Sequence, residues 1–195
     1  LYEERYMKDN LLYKILRPLI TFVFKTFVRP KFIGLENIPE KGRVILAGNH
    51  TSIFDAPLLI SSTKRNVHFL AKKELWKWPK RIIFGHLGLI PVDRKSRDGN
   101  ALVTAERYLK KEKLIGIFPE GTTEKEGHML KFKKGAVKMA VDTNSPIVPF
   151  VITGKYRLFS KNLIIKFLEP IKCNEDIKEE TEKLMNIIKK ERGKE

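Results

Sequence analysis

The chain has 195 residues, 42% of them hydrophobic, with 39 Lys or Arg against 23 Asp or Glu and a net charge of +16. That length suits one domain with at most an appendage, and that charge suits anionic partners: anionic lipid, nucleic acid, an acidic carrier protein or a phosphorylated small molecule. The single cysteine, Cys173, excludes an internal disulfide. No apolar run is long enough for a spanning helix, and no signal-peptide pattern is visible. Met7 offers a natural start, so Leu1–Tyr6 carry no weight. The first informative segment is residues 11–28, LLYKILRPLITFVFKTFV. At 3.6 residues per turn, Lys14, Arg17, Thr21 and Lys25 share one narrow face, and apolar residues cover the rest. Such a helix reads as lying in a membrane interface, with the alternative that it packs on the core. Pro18 is expected to kink or divide it. Residues 1–30 are thus read as an N-terminal amphipathic membrane anchor, and residues 31–195 as the main domain.

Beyond Pro30 the pattern becomes short apolar runs rich in β-branched residues, at 43–48, 67–71, 88–92, 114–118, 147–152 and 163–168, which predict strands. Helical stretches lie between and after them, at 56–62, 73–85, 99–112, 133–143 and 175–192. Residues 37–42 (NIPEKG) predict a turn. This alternation predicts an α/β fold: a mostly parallel central sheet flanked by helices. Ligands of such folds gather at the carboxyl ends of the strands. Residues 49–55, NHTSIFD, lie at one of those ends.

His50 in that segment is followed five residues later by Asp55. A turn between the strand and the next helix can fold Asp55 back onto the imidazole. Asp55 would then accept from Nδ1–H and leave Nε2 to take a proton from a hydroxyl. On this reading Asp55→Asn would leave the imidazole in the wrong tautomer. The bland alternative makes Ser52 a helix cap, Asp55 a dipole partner and His50 a loop residue. His68 lies in an apolar strand and reads as structural. Residues 114–122, LIGIFPEGT, end a strand in Pro119, Glu120, Gly121 and Thr122, where glycine permits close backbone approach to a ligand. Arg94 follows the strand GLIPV and suits two-point phosphate binding. Lys131, Lys133 and Lys134 read either as a solvated helix start or as anion ligands.

Taken in order, NHTSIFD, GLIPVDR, FPEGT and IVPF (147–150) resemble the four blocks of the glycerolipid acyltransferase family, above all the bacterial 1-acylglycerol-3-phosphate O-acyltransferases. The resemblance covers residues 31–170. It implies a general base at His50 oriented by Asp55, phosphate contacts from Lys72 and Arg94, an acceptor site lined by Glu120, Gly121 and Thr122, and Pro149 shaping that site. It implies transfer of an acyl group from a coenzyme A or acyl carrier protein thioester to the sn-2 hydroxyl of lysophosphatidate, without metal or cofactor. The chain departs from the family after FPEGT, where arginine is common and Thr123 and Glu124 stand instead. Lys125, Lys131 or Lys133 would compensate, or the acceptor would be another lysolipid. Residues 64–81 carry seven Lys or Arg, one Glu, and Trp76 and Trp78. That mixture suits an anionic headgroup layer. With no nucleic-acid recognition motif present, a nucleic-acid partner is set aside, and a non-catalytic basic binding module remains the rival of another class. The expected location is the cytoplasmic face of the cell membrane, peripheral or monotopic.

Overall fold

The structure is a computed structural model that describes residues 11–72, 89–92, 100–124 and 127–194. The expected helix at 73–85, Trp76, Trp78, Arg94 and Lys125 lie outside the described residues. The first element is helix α1, Leu11–Val23, extended by a π-helical turn at Phe24–Val28. Seven strands follow: β1 (Lys31–Ile33), β2 (Val44–Gly48), β3 (Val67–Lys72), β4 (Leu89–Val92), β5 (Leu114–Ile117), β6 (Ile147–Thr153) and β7 (Ile164–Phe167). The remaining described α-helices are α2 (Asp55–Ser62), α3 (Asn100–Lys110), α4 (Gly135–Thr143) and α5 (Ile177–Arg192), with a 3-10 turn at Leu35–Asn37.

The strands form one sheet in the order β1-β7-β6-β2-β5-β3-β4. All pairings are parallel except β6 with β7. Strand β2 shows why the sheet is covered on both faces. All five of its residues are buried. Val44 and Leu46 join the core that includes α2 and the buried side of α1, and Ile45 and Ala47 join the core of α3, α4 and α5. A strand apolar at every position needs helices above and below it.

Helix α1 runs from one edge of the strands to the other. At its start, the Tyr13 hydroxyl donates to the Arg65 carbonyl (3.1 Å) and accepts from the Val67 N–H (3.2 Å), at the entry of β3. At its end, buried Phe24 meets the edge of Tyr156 at 6.5 Å, close to the strands' carboxyl ends. Two expectations are corrected here. Pro18 does not divide the helix; it faces outward, where water can meet the carbonyl its ring leaves without a partner. Arg17 does not belong to a free basic stripe. Its Nε donates to the Thr63 carbonyl at 2.7 Å, which ties α1 to the end of α2. Tyr13 and Phe24 pack inward, while Ile15, Leu19 and Phe22 face outward, Phe22 with 60% of its surface exposed. The helix therefore packs on the core along one side and presents an apolar side outward. No helix among the described residues is long and apolar enough to cross a membrane.

Candidate active site

Strand β2 ends at Gly48, and the next residue begins the site. Asn49 is fully buried, and its side chain replaces a missing rung of the ladder. Its Nδ2 donates to the Ile152 carbonyl (2.9 Å), and its Oδ1 accepts from the Ile152 N–H (2.8 Å). The main chain can thus leave the sheet one residue early without orphaning β6. His50 then turns toward the segment 118–124 and is gripped by it on both sides. Its N–H donates to Glu120 Oε1 at 2.8 Å, and its carbonyl accepts from the Glu124 N–H at 2.7 Å. Its ring stacks on Phe118, with centroids 4.1 Å apart and planes at 14°.

His50 Nδ1 lies 2.8 Å from Asp55 Oδ2. Asp55 is the first residue of α2 and is fully buried. A buried carboxylate is costly unless its lone pairs are filled. Here they are: Oδ2 also accepts from the N–H groups of Thr51 (2.6 Å) and Ser52 (2.9 Å), and Oδ1 accepts from Thr51 Oγ1 (3.0 Å) and the Tyr156 hydroxyl (2.6 Å). Burial and the neighbouring Asp55 charge push the Tyr156 hydroxyl far above the usual tyrosine range, so it acts as a donor. With Nδ1 committed to Asp55, Nε2 is the ring nitrogen left to accept a proton.

Beside His50 lies a cleft of about 690 Å³. Its walls are mostly apolar: Ile53, Phe69, Leu70, Leu89, Ile117 and Phe118, with Gly121, Thr122, Thr123 and Lys133 as further lining. An apolar cleft with a few polar groups at one side suits a ligand with a long hydrocarbon part. Gly121 has φ +75°, and a Cβ placed there would come within 2.8 Å of Lys133 Nζ. The missing side chain lets the Lys133 ammonium lie against the backbone at the cleft.

The residues proposed from sequence fall in different places. His50 and Asp55 are joined, and Gly121 and Thr122 line the cleft with His50. Glu120 is not among the lining residues. It is buried, and its Oε2 accepts from the Leu130 N–H at 2.6 Å, so both oxygens hold main chain rather than ligand. Burial raises its carboxyl above the usual glutamate range, against the lowering effect of the two N–H bonds. Pro149 lies buried within β6 opposite Ala47 and is not among the residues lining the cleft. Lys72 ends β3, next to Ala71 of the cleft wall. Glu124 turns away from the cleft to a two-point ion pair with Arg192, at 2.6 and 3.0 Å. Lys131 is exposed and is not among the lining residues; Lys133 is. His68 is buried and meets the Tyr108 ring edge-on at 4.6 Å. No group of three or more His, Cys, Asp or Glu close enough to hold a metal occurs among the described residues. Sequence reading missed Asn49 and Tyr156, whose partners lie 103 and 101 residues away.

The model of a family described as Acyltransferase matches residues 29–153. A 1-acyl-sn-glycerol-3-phosphate acyltransferase of Borreliella burgdorferi is 37% identical over 134 residues, which cover 67% of this chain and 54% of that protein. One from Cocos nucifera is 32% identical over 148 residues, covering 68% of this chain and 47% of that protein. The chain thus spans about half the length of these curated relatives. The crystal structure of the 1-acyl-sn-glycerophosphate (LPA) acyltransferase PlsC from Thermotoga maritima superposes with a TM-score of 0.75 at 27% identity, covering 94% of this chain and 77% of that one. Residues 29–153 include His50, Asp55 and the 118–124 segment and stop short of Tyr156.

Proposed function

The chain belongs to the Acyltransferase family, and from that premise we propose that it moves a fatty acyl group from a thioester to the sn-2 hydroxyl of lysophosphatidate, giving phosphatidate for phospholipid synthesis. The observation that carries this reading is the His50–Asp55 pair at 2.8 Å beside an apolar cleft. His50 Nε2 takes the proton of the acceptor hydroxyl as its oxygen attacks the thioester carbonyl carbon. The tetrahedral intermediate collapses, the C–S bond breaks, and the imidazolium returns the proton to the leaving thiolate. Asp55 holds the imidazole with its proton on Nδ1 and stabilises the imidazolium. The thioester is already electrophilic, so this sequence calls on neither metal nor cofactor. The donor is an acyl-coenzyme A or acyl-acyl carrier protein, both anionic, in keeping with the +16 charge of the chain.

Lys133 is the described cation of the cleft, and we assign it to the acceptor's phosphate, in place of the arginine absent at Thr123. Lys72 and Arg94 remain candidates for the same anion. The neutral Thr123 in the lining keeps a second reading alive, in which the acceptor is another lysolipid. The outward apolar side of α1 supports a location on the cytoplasmic face of the cell membrane, with the exposed Lys14 and Lys25 toward anionic headgroups. A purely structural basic module has no use for a buried carboxylate aimed at an imidazole.

The experiment is transfer by purified protein from both donor types to a panel of lyso-acceptors, with products resolved by mass. Lysophosphatidate should be acylated fastest, and His50→Ala should lower transfer by about a hundredfold to ten-thousandfold. Near wild-type turnover in folded His50→Ala protein would remove the mechanism. Preference for an acceptor without a terminal phosphate would select the second reading.

A further inference from the structure

The loop 154–162, GKYRLFSKN, joins β6 to β7 and leaves the sheet beside the active site. Its base is closed. Gly154 has φ +82°, and a Cβ there would lie 1.8 Å from the Asn162 carbonyl oxygen, so the two ends of the loop touch. Its tip projects: Leu158 is 70% exposed and Phe159 60%. Adjacent large apolar residues at that exposure need a reason, more so because Phe159 has φ +57°, a conformation costly for a bulky side chain.

The tip is also clasped to the end of the α1 segment. The Phe159 N–H donates to the Phe27 carbonyl at 2.5 Å, the two rings meet at 5.8 Å, and the Arg29 guanidinium lies 5.6 Å from the Phe159 ring centre. The clasp sets the exposed loop tip against Phe27, at the end of the segment whose outward residues include Leu19 and Phe22. Residues 24–31 and 154–162 together carry six cations (Lys25, Arg29, Lys31, Lys155, Arg157 and Lys161) and no acid. An exposed apolar tip on segments that carry cations and no acid matches a bilayer with anionic headgroups, where the tip enters the acyl region and the cations meet phosphates. A protein partner would be expected to leave some acid or paired polar rim. Between base and tip, Tyr156 moors the loop by its hydroxyl to Asp55.

We propose that residues 154–162 form a second membrane-contact element, which inserts Leu158 and Phe159 into an anionic bilayer directly beside the His50–Asp55 pair. The element extends the proposed role of α1 to a segment beyond the residues matched by the family, and it rests on that reading for the placement of the bilayer. It adds contact at the end of α1 nearest the active site, where Tyr156 of the same loop bonds Asp55.

The test uses the full chain and no enzymatic readout, so it stands apart from the proposed reaction. Leu158→Cys in a Cys173→Ser background is labelled with an environment-sensitive fluorophore and mixed with phosphatidylglycerol-containing vesicles. A blue shift and intensity gain on these vesicles, weaker on pure phosphatidylcholine, is expected. Unchanged emission from labelled protein that co-floats with the vesicles overturns the proposal. In parallel, Leu158→Asp/Phe159→Asp protein with unaltered circular dichroism should float at least about tenfold less well with anionic vesicles. Wild-type flotation of that variant would also overturn it.

Discussion

Replacing Asp55 by asparagine turns one carboxylate oxygen into an NH2, and the partners of the two oxygens decide which one. Oδ2 faces three donors, two of them the backbone N–H groups of Thr51 and Ser52, which cannot accept. Oδ1 faces only hydroxyls, on Thr51 and Tyr156, which can reverse and accept. The amide of Asp55→Asn therefore keeps its carbonyl at the Oδ2 position and its NH2 toward the hydroxyls. The protein folds, and His50 still finds an acceptor at Nδ1. Two main-chain N–H groups thus argue against the inverted tautomer expected from the sequence. What is lost is charge. The bond from Nδ1 falls from a charge-assisted one to a neutral one, a difference of roughly 1 kcal/mol. Loss of the full charge beside the imidazolium sets an upper value of about 4 kcal/mol at an effective dielectric constant of 20. At about 1.4 kcal/mol per tenfold, kcat should fall roughly fivefold to a thousandfold. Inversion of the tautomer would instead cost about 10⁴. Thiol release gives kcat, and long-range nitrogen–proton NMR of the His50 ring gives the tautomer directly. Folded Asp55→Asn protein with the proton on Nε2, or with kcat lowered 10⁴-fold, would refute the reasoning.

Glu120→Gln is the contrasting case: both Glu120 oxygens face backbone N–H groups, so the amide must set its NH2 against one of them. It should cost about 1–3 kcal/mol of stability, read as a lower urea midpoint, and an unchanged midpoint would contradict the assignment. Tyr156→Phe removes one donor from Asp55 while keeping the ring that packs on Phe24 and Phe54; kcat should fall several-fold with the KM of a short-chain acceptor unchanged, whereas a purely structural tyrosine would lower the melting temperature and leave kcat alone. Burial pushes the Cys173 thiol up to about 11. The thiolate is thus scarce at pH 8, and labelling by a disulfide reagent should be slow and rise about tenfold per pH unit until it levels near that value; fast labelling at pH 8 with native circular dichroism would show an ordinary thiol.

The strands of the sheet interior were legible because a strand buried on both faces must be apolar at every position, as VILAG and IVPFV are. Strand β1 was not: three residues, Lys31–Ile33, are too short to show a period, and they are fixed only by pairing with β7. The reversed direction of β7 was hidden too, because nothing in LIIKFL states which way the preceding loop turns the chain. Helix α1 was read as lying in a membrane interface, with packing on the core as the alternative; it packs on the core along one side and leaves apolar residues exposed on the other. Only the fold could show that Arg17 belongs to the inner side. His50 and Asp55 were legible because five residues and one turn join them. The contacts of Glu120 were hidden for the opposite reason. A carboxylate in a motif is expected to meet substrate, and only three-dimensional contacts reveal two N–H groups from residues 50 and 130 in its way.

The double grip on His50 has an implication for recombination among relatives. Because the main chain of residue 50 is bonded through its N–H to residue 120 and through its carbonyl to residue 124, the segments 49–55 and 118–124 are not separate cassettes. They are two halves of a single joint, encoded far apart. A crossover between them that imports one half from a distant homologue tests whether its loop length and backbone path fit the other half, and a mismatch there bears on the residue that carries the imidazole. Viable chimaeras should therefore place both breakpoints outside residues 49–124, or exchange the two halves together.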